Sequence, residues 1–403
     1  MTSGRAAALV AVLIAAGVPW HGPLSLAAQT TPTPRVVKIV GDAHKLLLRA
    51  DGTVAGWGRH LQGQLGPVSS LAAGQFGTTV IVNLEVAGRV VDIAAGTSTS
   101  YALLDDGTVL AWGAGEAGQL GGGPLTLPKL ATSTGSMEYR GRETPTPVAG
   151  ISDAVAITAA GDSAYAVLRD GTVRAWGGAG PAIRPVAMPD LTAVSALSAG
   201  GGHVLALTTD GRVFSWGSNF YGALGRPPRS EQAFDMPGQV TGLTEVAQVV
   251  AGSGVSTALK KDGTVWVWGS NWQQQFGFPA PTDQPGPTRG WMLEPQLVPG
   301  VTGVTAIALG LTGRHTLALL KDSTLRVWGN NDWGQLGTGA GPGFQPRPVA
   351  IKVSGVTAVF AAGNNSFAVR TDGSLWAWGA GDAQRFPLTS NVRVPAPAPA
   401  GLK

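Results

Sequence analysis

The sequence lacks cysteine and is poor in charge, and each shortage excludes classes of protein. With no cysteine in 403 residues, a disulfide framework, a lipidated cysteine and a catalytic thiol are ruled out. Charged residues make up 13% of the chain and leave a formal net charge of +4. Because this positive excess is small and scattered, we expect no nucleic-acid partner.

Common catalytic and nucleotide-binding motifs are also missing. The chain has no Gly-x-Ser-x-Gly sequence, no His-Glu-x-x-His sequence and no phosphate-binding loop. These are local signatures of serine hydrolases, zinc proteases and P-loop nucleotide hydrolases. We therefore predict a protein that is not an enzyme and that needs no cofactor and no metal.

The sequence does contain one short motif in seven copies. In each copy an Asp precedes a Trp-Gly pair by six residues, while the distance between successive copies varies. A fixed local frame with variable connections indicates one supersecondary unit that was copied along the chain. The seven pairs are Asp51/Trp57, Asp106/Trp112, Asp170/Trp176, Asp210/Trp216, Asp262/Trp268, Asp322/Trp328 and Asp372/Trp378.

Each copy predicts a β-hairpin around its Asp. An apolar pair begins four residues before the Asp, and a Val or Leu follows three residues after it. In six copies the residue after the Asp is Gly, and Asp-Gly between apolar runs predicts a type I′ turn, whose two central residues have positive φ. The exception is Ser323, where we expect a strained or differently built turn. Short apolar runs before and after each hairpin add further strands.

These meanders predict an all-β fold, a seven-bladed β-propeller of antiparallel meander blades. Small units cannot bury both faces alone, so they must stack, and a closed ring leaves no open end. The seven Trp side chains should then pack between blades. Successive turns of a meander alternate between two ends of a sheet. The long insertions after the Trp-Gly pairs should therefore share one face, where loops on a rigid scaffold commonly bind partners.

The second copy shows the complete repeat. Its segments are Val91-Asp92-Ile93-Ala94-Ala95-Gly96, Tyr101-Ala102-Leu103, Asp106-Gly107-Thr108-Val109, Trp112-Gly113 and Gly118-Gln119-Leu120-Gly121. This pattern, which spans residues 36 to 396, resembles the repeat of the regulator of chromosome condensation family, in its bacterial, secreted type. The resemblance implies a seven-bladed propeller that binds proteins. Family members include a nuclear guanine-nucleotide exchange factor, plant ultraviolet photoreceptors, ubiquitin-ligase modules and a secreted bacterial beta-lactamase inhibitor.

The ends of the chain set the domain boundaries. Residues 1–28 carry one cation, then an apolar run and small residues, which is the layout of a secretory signal peptide. A retained anchor is the alternative, although the run is shorter than the about 20 residues that a span requires. Residues 29–396 form the propeller and residues 397–403 a Pro/Ala-rich tail. Residues 391–394 are expected to close the ring as the outer strand of a blade begun at the amino terminus.

Without a membrane span after signal removal, we expect an exported monomer in the periplasm, at the cell surface or outside the cell. Its candidate binding residues lie just after the Trp-Gly pairs or in the insertions. For the aromatic residues the alternative is packing onto the next blade, and for the arginines it is exposure to solvent. The candidates are Phe220, Tyr221, Trp272, Trp333, Trp291 and Arg289, with Arg140 and Arg142 for an anionic partner.

Three histidines raise the question of a metal site, since His is the commonest metal ligand. His44, His203 and His315 each lie seven residues before the repeat Asp. They therefore occupy equivalent points on blades 1, 4 and 6, which are not neighbours in a ring. The spacing favours structural hydrogen bonds over a shared metal.

The function most consistent with these features is a secreted, non-enzymatic protein-binding scaffold that uses the loop-rich face. By family analogy, a regulator similar to guanine-nucleotide exchange factors is one alternative. An envelope hydrolase with a carboxylate site in the central channel is the other, and it requires a deep pocket lined by Asp or Glu.

Overall fold

The computed structural model describes residues 34–67, 77–122, 129–131, 138–178, 184–227, 234–272, 274–279, 290–310, 312, 314–380 and 394–399. Every regular element within these ranges is a β-strand, and none of the described residues forms a helix of the length and hydrophobicity needed to cross a membrane. The predicted signal peptide, residues 1–28, lies outside the described residues. So do Arg289 and residues 400–403 of the predicted tail.

The strands form seven consecutive antiparallel sheets, numbered here as blades 1 to 7 in chain order. Blade 1 contains β1 (Val36–Gly41), β2 (His44–Arg49), β3 (Val54–Arg59) and β4 (Gly77–Leu84). Blade 2 contains β5 (Val90–Ala95), β6 (Thr99–Leu104), β7 (Val109–Ala114), β8 (Lys129–Ala131) and β9 (Glu138–Pro147). Blade 3 contains β10 (Ala154–Ala160), β11 (Ser163–Leu168), β12 (Val173–Gly177) and β13 (Val186–Ala187).

The remaining blades repeat the four-stranded pattern. Blade 4 contains β14 (Val194–Ala199), β15 (His203–Thr208), β16 (Val213–Ser218) and β17 (Phe234–Gln239). Blade 5 contains β18 (Val246–Ala251), β19 (Val255–Lys260), β20 (Val265–Ser270) and β21 (Trp291–Leu297). Blade 6 contains β22 (Val304–Leu309), β23 (His315–Leu320), β24 (Leu325–Asn330) and β25 (Phe344–Ala350). Blade 7 contains β26 (Val356–Ala362), β27 (Asn365–Arg370), β28 (Leu375–Gly379) and β29 (Val394–Pro399).

The blades close into a ring, which confirms the predicted seven-bladed propeller. Within each sheet the strands pair in chain order, except that β9 lies beside β7 in blade 2 and β8 is outermost. Each inner strand packs against that of the next blade, and β1 packs against β26 of blade 7. At this closure Trp57 lies edge-on to Phe367, with ring centroids 6.2 Å apart.

The predicted mode of ring closure is wrong. Blade 1 already has four strands, and β29 pairs with β28, so the last strand completes blade 7 rather than blade 1. This strand runs to Pro399, three residues past the predicted end of the propeller at residue 396. The Pro/Ala composition suggested a tail, but proline is compatible with an outer strand whose free edge faces solvent.

The strand order defines two faces of the ring. Connections between the second and third strands, and those between blades, lie on one face, called here the turn face. Connections from the first to the second strand and from the third to the outer strand lie on the other, called here the loop face. The third and outer strands that flank the long insertions have their connected ends on the loop face, where the sequence places the insertions; parts of most insertions lie outside the described residues.

The hairpin prediction is confirmed, but the predicted type I′ turn is wrong. In blade 1, Gly52 N donates to Arg49 O and Arg49 N donates to Thr53 O, both at 2.9 Å, which encloses three residues instead of two. Gly52 has a φ of +87°, whereas Asp51 is not among the residues with positive φ. This is a type I turn followed by a left-handed residue. The Asp51 carboxylate stabilises it by accepting hydrogen bonds from Thr53 N and Oγ1 at 2.9 and 2.8 Å.

The Trp indoles lie between blades, as predicted, and in five blades the indole donates a hydrogen bond to the preceding blade. Trp112 Nε1 donates to Gln64 O at 2.9 Å, and this acceptor belongs to the Gly-Gln-Leu-Gly turn that follows β3. Trp216 has no such carbonyl acceptor among the described residues, and the sequence of blade 3 lacks the Gly-Gln-Leu-Gly turn. The same bond joins Trp176 to Gln119, Trp268 to Ala223, Trp328 to Gln275 and Trp378 to Gln335.

The three histidines reach the same carbonyls through serine, which confirms their predicted structural role. His44 Nε2 lies 2.9 Å from Ser100 Oγ, and Ser100 Oγ donates to Gln64 O at 2.7 Å. Because the serine gives its proton to the carbonyl, Nε2 is the donor to the serine. In the part of the chain that is described, no three His, Asp or Glu side chains converge to hold a metal. The same chain joins His203, Ser256 and Ala223, and also His315, Ser366 and Gln335.

Ser323 is strained, as predicted, although its turn has the ordinary form. Ser323 N donates to Leu320 O at 3.0 Å, and Ser323 has a φ of +63°. For a residue with a Cβ, this left-handed conformation costs roughly 1–2 kcal/mol of conformational free energy. We predict that Ser323→Gly raises the free energy of unfolding by about 1 kcal/mol after allowance for the entropy of glycine, as measured by denaturant titration.

Gly373 provides the reverse variant for this prediction. It takes the same place in blade 7 with a φ of +79°, and an added Cβ there meets no atom within 4 Å. Gly373→Ser therefore tests the backbone conformation without steric overlap and should lower the free energy of unfolding by about 1 kcal/mol. Equal stabilities for glycine and serine at both positions would contradict the assignment of strain.

The buried histidines predict a fall in stability with acidification. Burial lowers the pKa of His203 from 6.5 to about 4, so the folded protein keeps this imidazole neutral while the unfolded chain takes up a proton. The stability contributed by neutral His203 is complete above pH 6.5 and is lost as the pH falls toward 4. In His203→Asn, the fall in unfolding free energy between about pH 7 and 5 should shrink by about 2 kcal/mol. Denaturant titrations across this range measure the effect.

Ser256→Ala is the control for the pH prediction. It removes the hydroxyl that lies 2.8 Å from His203 Nε2 but leaves a buried imidazole in place. This variant should be less stable than the wild type at every pH while retaining the dependence on pH. An unchanged pH dependence in His203→Asn would show that this histidine does not titrate on unfolding.

Candidate functional site

Four aromatic side chains from blades 4 and 5 meet on the loop face. Phe220, Tyr221, Trp272 and Trp291 are called here the aromatic cluster. Tyr221 is central, with its ring centroid 4.9 Å from Phe220, 5.5 Å from Trp291 and 6.2 Å from Trp272. Tyr221 meets its three neighbours edge-on, whereas Phe220 and Trp291 are tilted at 49° with ring centroids 6.0 Å apart. Such arrangements are favourable because the positive ring edge approaches the negative face of its neighbour.

The loop of blade 4 is held by Asn219, which follows the Trp-Gly pair by two residues. Asn219 Oδ1 accepts a hydrogen bond from Leu224 N at 3.1 Å. Gly222 N donates to Asn219 O at 3.0 Å, so Phe220 and Tyr221 are the two central residues of a tight turn. The side-chain amide thus replaces backbone partners that an irregular loop would lack.

The same asparagine recurs in blades 5 and 6. Asn271 Oδ1 accepts from Phe276 N at 2.9 Å, and Asn331 Oδ1 accepts from Leu336 N at 3.1 Å. Both asparagines are buried. The residue that follows each one, Trp272 in blade 5, therefore projects from a fixed turn rather than from a loose loop.

Exposure separates the cluster into supporting and presented rings. Tyr221 packs over the turn at Gly254 of blade 5, where an added Cβ would lie 2.6 Å from the ring. Phe220 is 69% exposed and Trp272 is 65% exposed. Packing onto the next blade, the alternative considered from the sequence, therefore describes Tyr221 and does not describe Phe220 or Trp272.

Trp333 lies on blade 6 at the turn position equivalent to Tyr221. Its backbone N donates to Gln335 Oε1 at 2.8 Å, and its side chain is 48% exposed. Exposed aromatic residues in the turn that follows the Trp-Gly pair therefore occur on three consecutive blades, 4, 5 and 6.

The structure adds two apolar residues that the sequence analysis missed. Leu293 is 45% exposed, and an added Cβ on Gly222 would lie 2.7 Å from its side chain, so Leu293 borders the aromatic cluster. Met236 is 62% exposed and takes the equivalent position in the outer strand of blade 4. Both residues lie within the predicted insertions. Only the register of the outer strand identifies their positions, and the sequence does not reveal this register because the insertions differ in length.

The candidate arginines lie elsewhere. Arg140 and Arg142 belong to β9 of blade 2, where Arg142 pairs with Gly113 and Arg140 N donates to Glu116 Oε1 at 3.1 Å. Blade 3 separates them from the aromatic cluster. The structure therefore joins neither Arg140 nor Arg142 to the cluster, and Arg289 falls outside the described residues.

The central channel is lined by the inner strands and encloses a cavity of about 520 Å³. Its described lining is mostly apolar, with Lys38, Asp42 and Gln248 as the charged or amide side chains. Lys38 forms an ion pair with Asp92 at 2.5 Å, and Asp42 accepts from Thr312 Oγ1 at 2.9 Å. The described lining therefore does not supply the paired carboxylates that the hydrolase hypothesis requires.

Polar side chains near the channel bridge adjacent blades instead. The inner strands have an edge without a strand partner, and buried N–H groups there need acceptors. Each of these side chains supplies an acceptor to the next blade, so its polar atom already has a structural partner. Asp92 accepts from Ile157 N, Gln248 from Ile307 N, Thr158 from Ala199 N and Ser198 from Ala251 N.

Comparison with known proteins agrees with this geometry. Models of the regulator of chromosome condensation (RCC1) repeat match residues 210–259 and, for a second model, residues 90–119, 194–223 and 246–275. The chain is 30% identical over 357 residues to E3 ubiquitin-protein ligase HERC2 of Homo sapiens, covering 86% of this chain and 6% of that protein. The chain thus spans a small part of the length of this relative.

Solved structures show the same fold. Prp20p from Saccharomyces cerevisiae, described with its binding properties to Gsp1p and histones, has a TM-score of 0.70 at 21% identity, covering 88% of this chain and 87% of that one. Yeast RCC1 (Prp20) bound to Kap60 gives a TM-score of 0.70 at 20% identity, covering 94% and 91%. The chain therefore carries repeats of the regulator of chromosome condensation family, folded into a seven-bladed propeller.

Proposed function

We propose that this protein is a non-enzymatic scaffold that binds a protein partner through the loop face of blades 4 to 6. The observation that carries the proposal is the exposure of Phe220 and Trp272, at 69% and 65%, on turns that hydrogen bonds hold in place. Exposed apolar groups that cluster on one side of a protein commonly mark an interaction site. Leu293 borders this surface, and Trp333 is exposed at the equivalent turn of blade 6.

The physical advantage of this surface is that its aromatic side chains are already ordered. Binding energy at protein interfaces concentrates in a few aromatic residues that lose all contact with water. Ordering a mobile side chain on binding costs about 0.5–1.5 kcal/mol. Tyr221 contacts Phe220, Trp272 and Trp291, so much of this cost is met when the propeller folds. A partner with a complementary apolar groove would bury the exposed rings.

The relatives support a protein partner without identifying it. Prp20p is described with Gsp1p, histones and Kap60 as its partners, and those partners belong to that protein. No described contact of this chain favours nucleotide exchange over simple binding. The described channel offers no catalytic pair to a hydrolase. Binding through the aromatic cluster is therefore the function with a structural observation behind it.

We also propose that the protein is exported. The support is the sequence of residues 1–28, in which an apolar run follows Arg5 and small residues follow the run. Amino-terminal sequencing of the protein recovered outside the cytoplasm should find a chain that begins near residue 29. A chain that retains Met1 and remains in the cytoplasm would contradict export.

The binding proposal predicts that Phe220→Ala with Trp272→Ala abolishes capture of the partner. Both side chains are mostly exposed, so the double variant should fold normally while its affinity falls by about 2–4 kcal/mol, or roughly thirtyfold or more. Quantitative affinity capture from the native cell envelope and culture fluid, with mass spectrometry, compares the variant with the wild type.

Val91→Ala with Val155→Ala is the matched control. These two side chains are 47% and 45% exposed and lie at the turn-face ends of β5 and β10. The control should capture the same proteins as the wild type. If the aromatic double variant retains every protein that the wild type and the control retain, the aromatic cluster is not the binding surface.

A further inference from the structure

Six blades carry a proline at the same register position, within the outer strand or, in blade 3, directly before it. In blade 5, Val267 pairs with Gln296, and Pro295 directly precedes that partner. In every blade, the residue directly before the repeat Trp pairs with a residue of the outer strand, and the position compared here is the one that precedes this partner. It is occupied by Pro145, Pro185, Pro237, Pro295, Pro348 and Pro397 in blades 2 to 7.

The backbone at this position faces away from the sheet. In blade 5, Val298 N donates to Val265 O across the ladder at 2.9 Å. Alternate residues of an antiparallel strand turn their N–H and C=O groups to opposite sides, so Pro295, three residues earlier, faces outward. A proline there offers no N–H to a further strand, which is one way in which proteins protect sheet edges from pairing.

Blade 1 departs from this pattern. Gly56 pairs with Val82, so Ile81 takes the place of the proline and presents an N–H outward. Asn83, two residues later, does the same. The strand Gly77–Leu84 is 8 residues long and contains neither proline nor a charged residue. Among the described residues, no strand pairs with its outer edge.

Other blades protect their edges further. In blade 2 the short strand β8 pairs with the outer edge of β9, and in blade 3 the outer strand has only 2 residues. Blades 6 and 7 carry additional prolines, Pro346 in β25 and Pro395 and Pro399 in β29. Among the described blades, a long outer strand with neither proline nor a charged residue on an unpaired edge therefore occurs only in blade 1.

The strand β4 is also well held on its inner side. Ile81 packs against the core cluster that contains Trp57 and Phe367. Arg49 Nη1 donates to Asn83 Oδ1 at 3.1 Å. An edge that is already ordered loses little conformational entropy when another strand pairs with it. Blade 1 therefore presents a preformed template for one additional strand.

We propose that β4 pairs antiparallel with β4 of a second copy of this chain and joins two propellers into a dimer. The absence of charge between Gly77 and Leu84 means that self-pairing brings no like charges opposite each other. The described blades offer one such edge per chain, so two copies related by a dyad satisfy each other and assembly stops there. This inference is independent of the loop-face binding surface and replaces the expectation of a monomer.

Ile81→Pro tests the proposal by giving blade 1 the residue found in the other blades. In sedimentation velocity over a concentration series, the full wild-type chain should shift from monomer to dimer. Because a symmetric interface contains Ile81 twice, the variant should raise the dissociation constant of the dimer by about tenfold or more. Ile81→Val keeps the N–H and should dimerise like the wild type.

A second variant covers the case in which Ile81→Pro disturbs the fold. Asn83→Lys keeps every backbone group but places a charge at the edge in both copies, so it should weaken the dimer. It also removes the hydrogen bond from Arg49 Nη1 to Asn83 Oδ1. Asn83→Ala loses the same bond without adding a charge, so it is the control and should dimerise more tightly than Asn83→Lys. In the wild type, the amides of Ile81 and Asn83 should exchange hydrogen more slowly as concentration rises. A wild type that stays monomeric throughout the series, or an Asn83→Lys dimer as tight as the wild type, would overturn the proposal.

Discussion

The ring depends on one hydrogen bond that recurs between blades, from a buried Trp indole to the carbonyl of a turn in the preceding blade. Trp268 of blade 5, for example, donates to Ala223 O of blade 4. The same carbonyl accepts a second hydrogen bond from Ser256 Oγ, which in turn is hydrogen-bonded to His203. Where it occurs, the bond fixes the turn that follows the third strand, while the indole fills the space between two sheets. Packing between blades and the geometry of the loop face therefore have a common origin. The aromatic cluster stands on turns of this kind.

Seven copies of one unit make the chain its own comparison set. Most copies have the same residue type at the positions that hold the ring together. A blade with a different residue at an equivalent position therefore has a property that the other blades lack. Phe220 and Trp272 occupy a turn position that has Leu61 in blade 1 and Glu116 in blade 2, and both are exposed. Ile81 stands where every other blade has proline. The first departure underlies the proposed binding surface, and the second underlies the proposed dimer.

The sequence predicted whatever is local to one repeat: the hairpins, the buried Trp residues and the strain at Ser323. Asp-Gly is compatible with two-residue and three-residue turns, and the carboxylate contacts of Asp51 that favour the longer one were not anticipated. The register of the outer strands was hidden because each follows an insertion of different length. Leu293, Met236 and the aligned prolines consequently emerged only from the ladders. The His–Ser–carbonyl chains were equally hidden, since each joins residues of adjacent blades.

We infer that the Trp-to-carbonyl bond stabilises the ring beyond what the volume of the indole contributes. Trp268 makes this bond at 2.8 Å, whereas Trp216 has no equivalent carbonyl among the described residues. Substituting either Trp by Phe removes a similar side-chain volume. Only the substitution of Trp268 also removes a hydrogen bond to a carbonyl. Equilibrium unfolding should therefore show Trp268→Phe to be less stable than Trp216→Phe by about 1 kcal/mol. Equal losses in the two variants would contradict the claim.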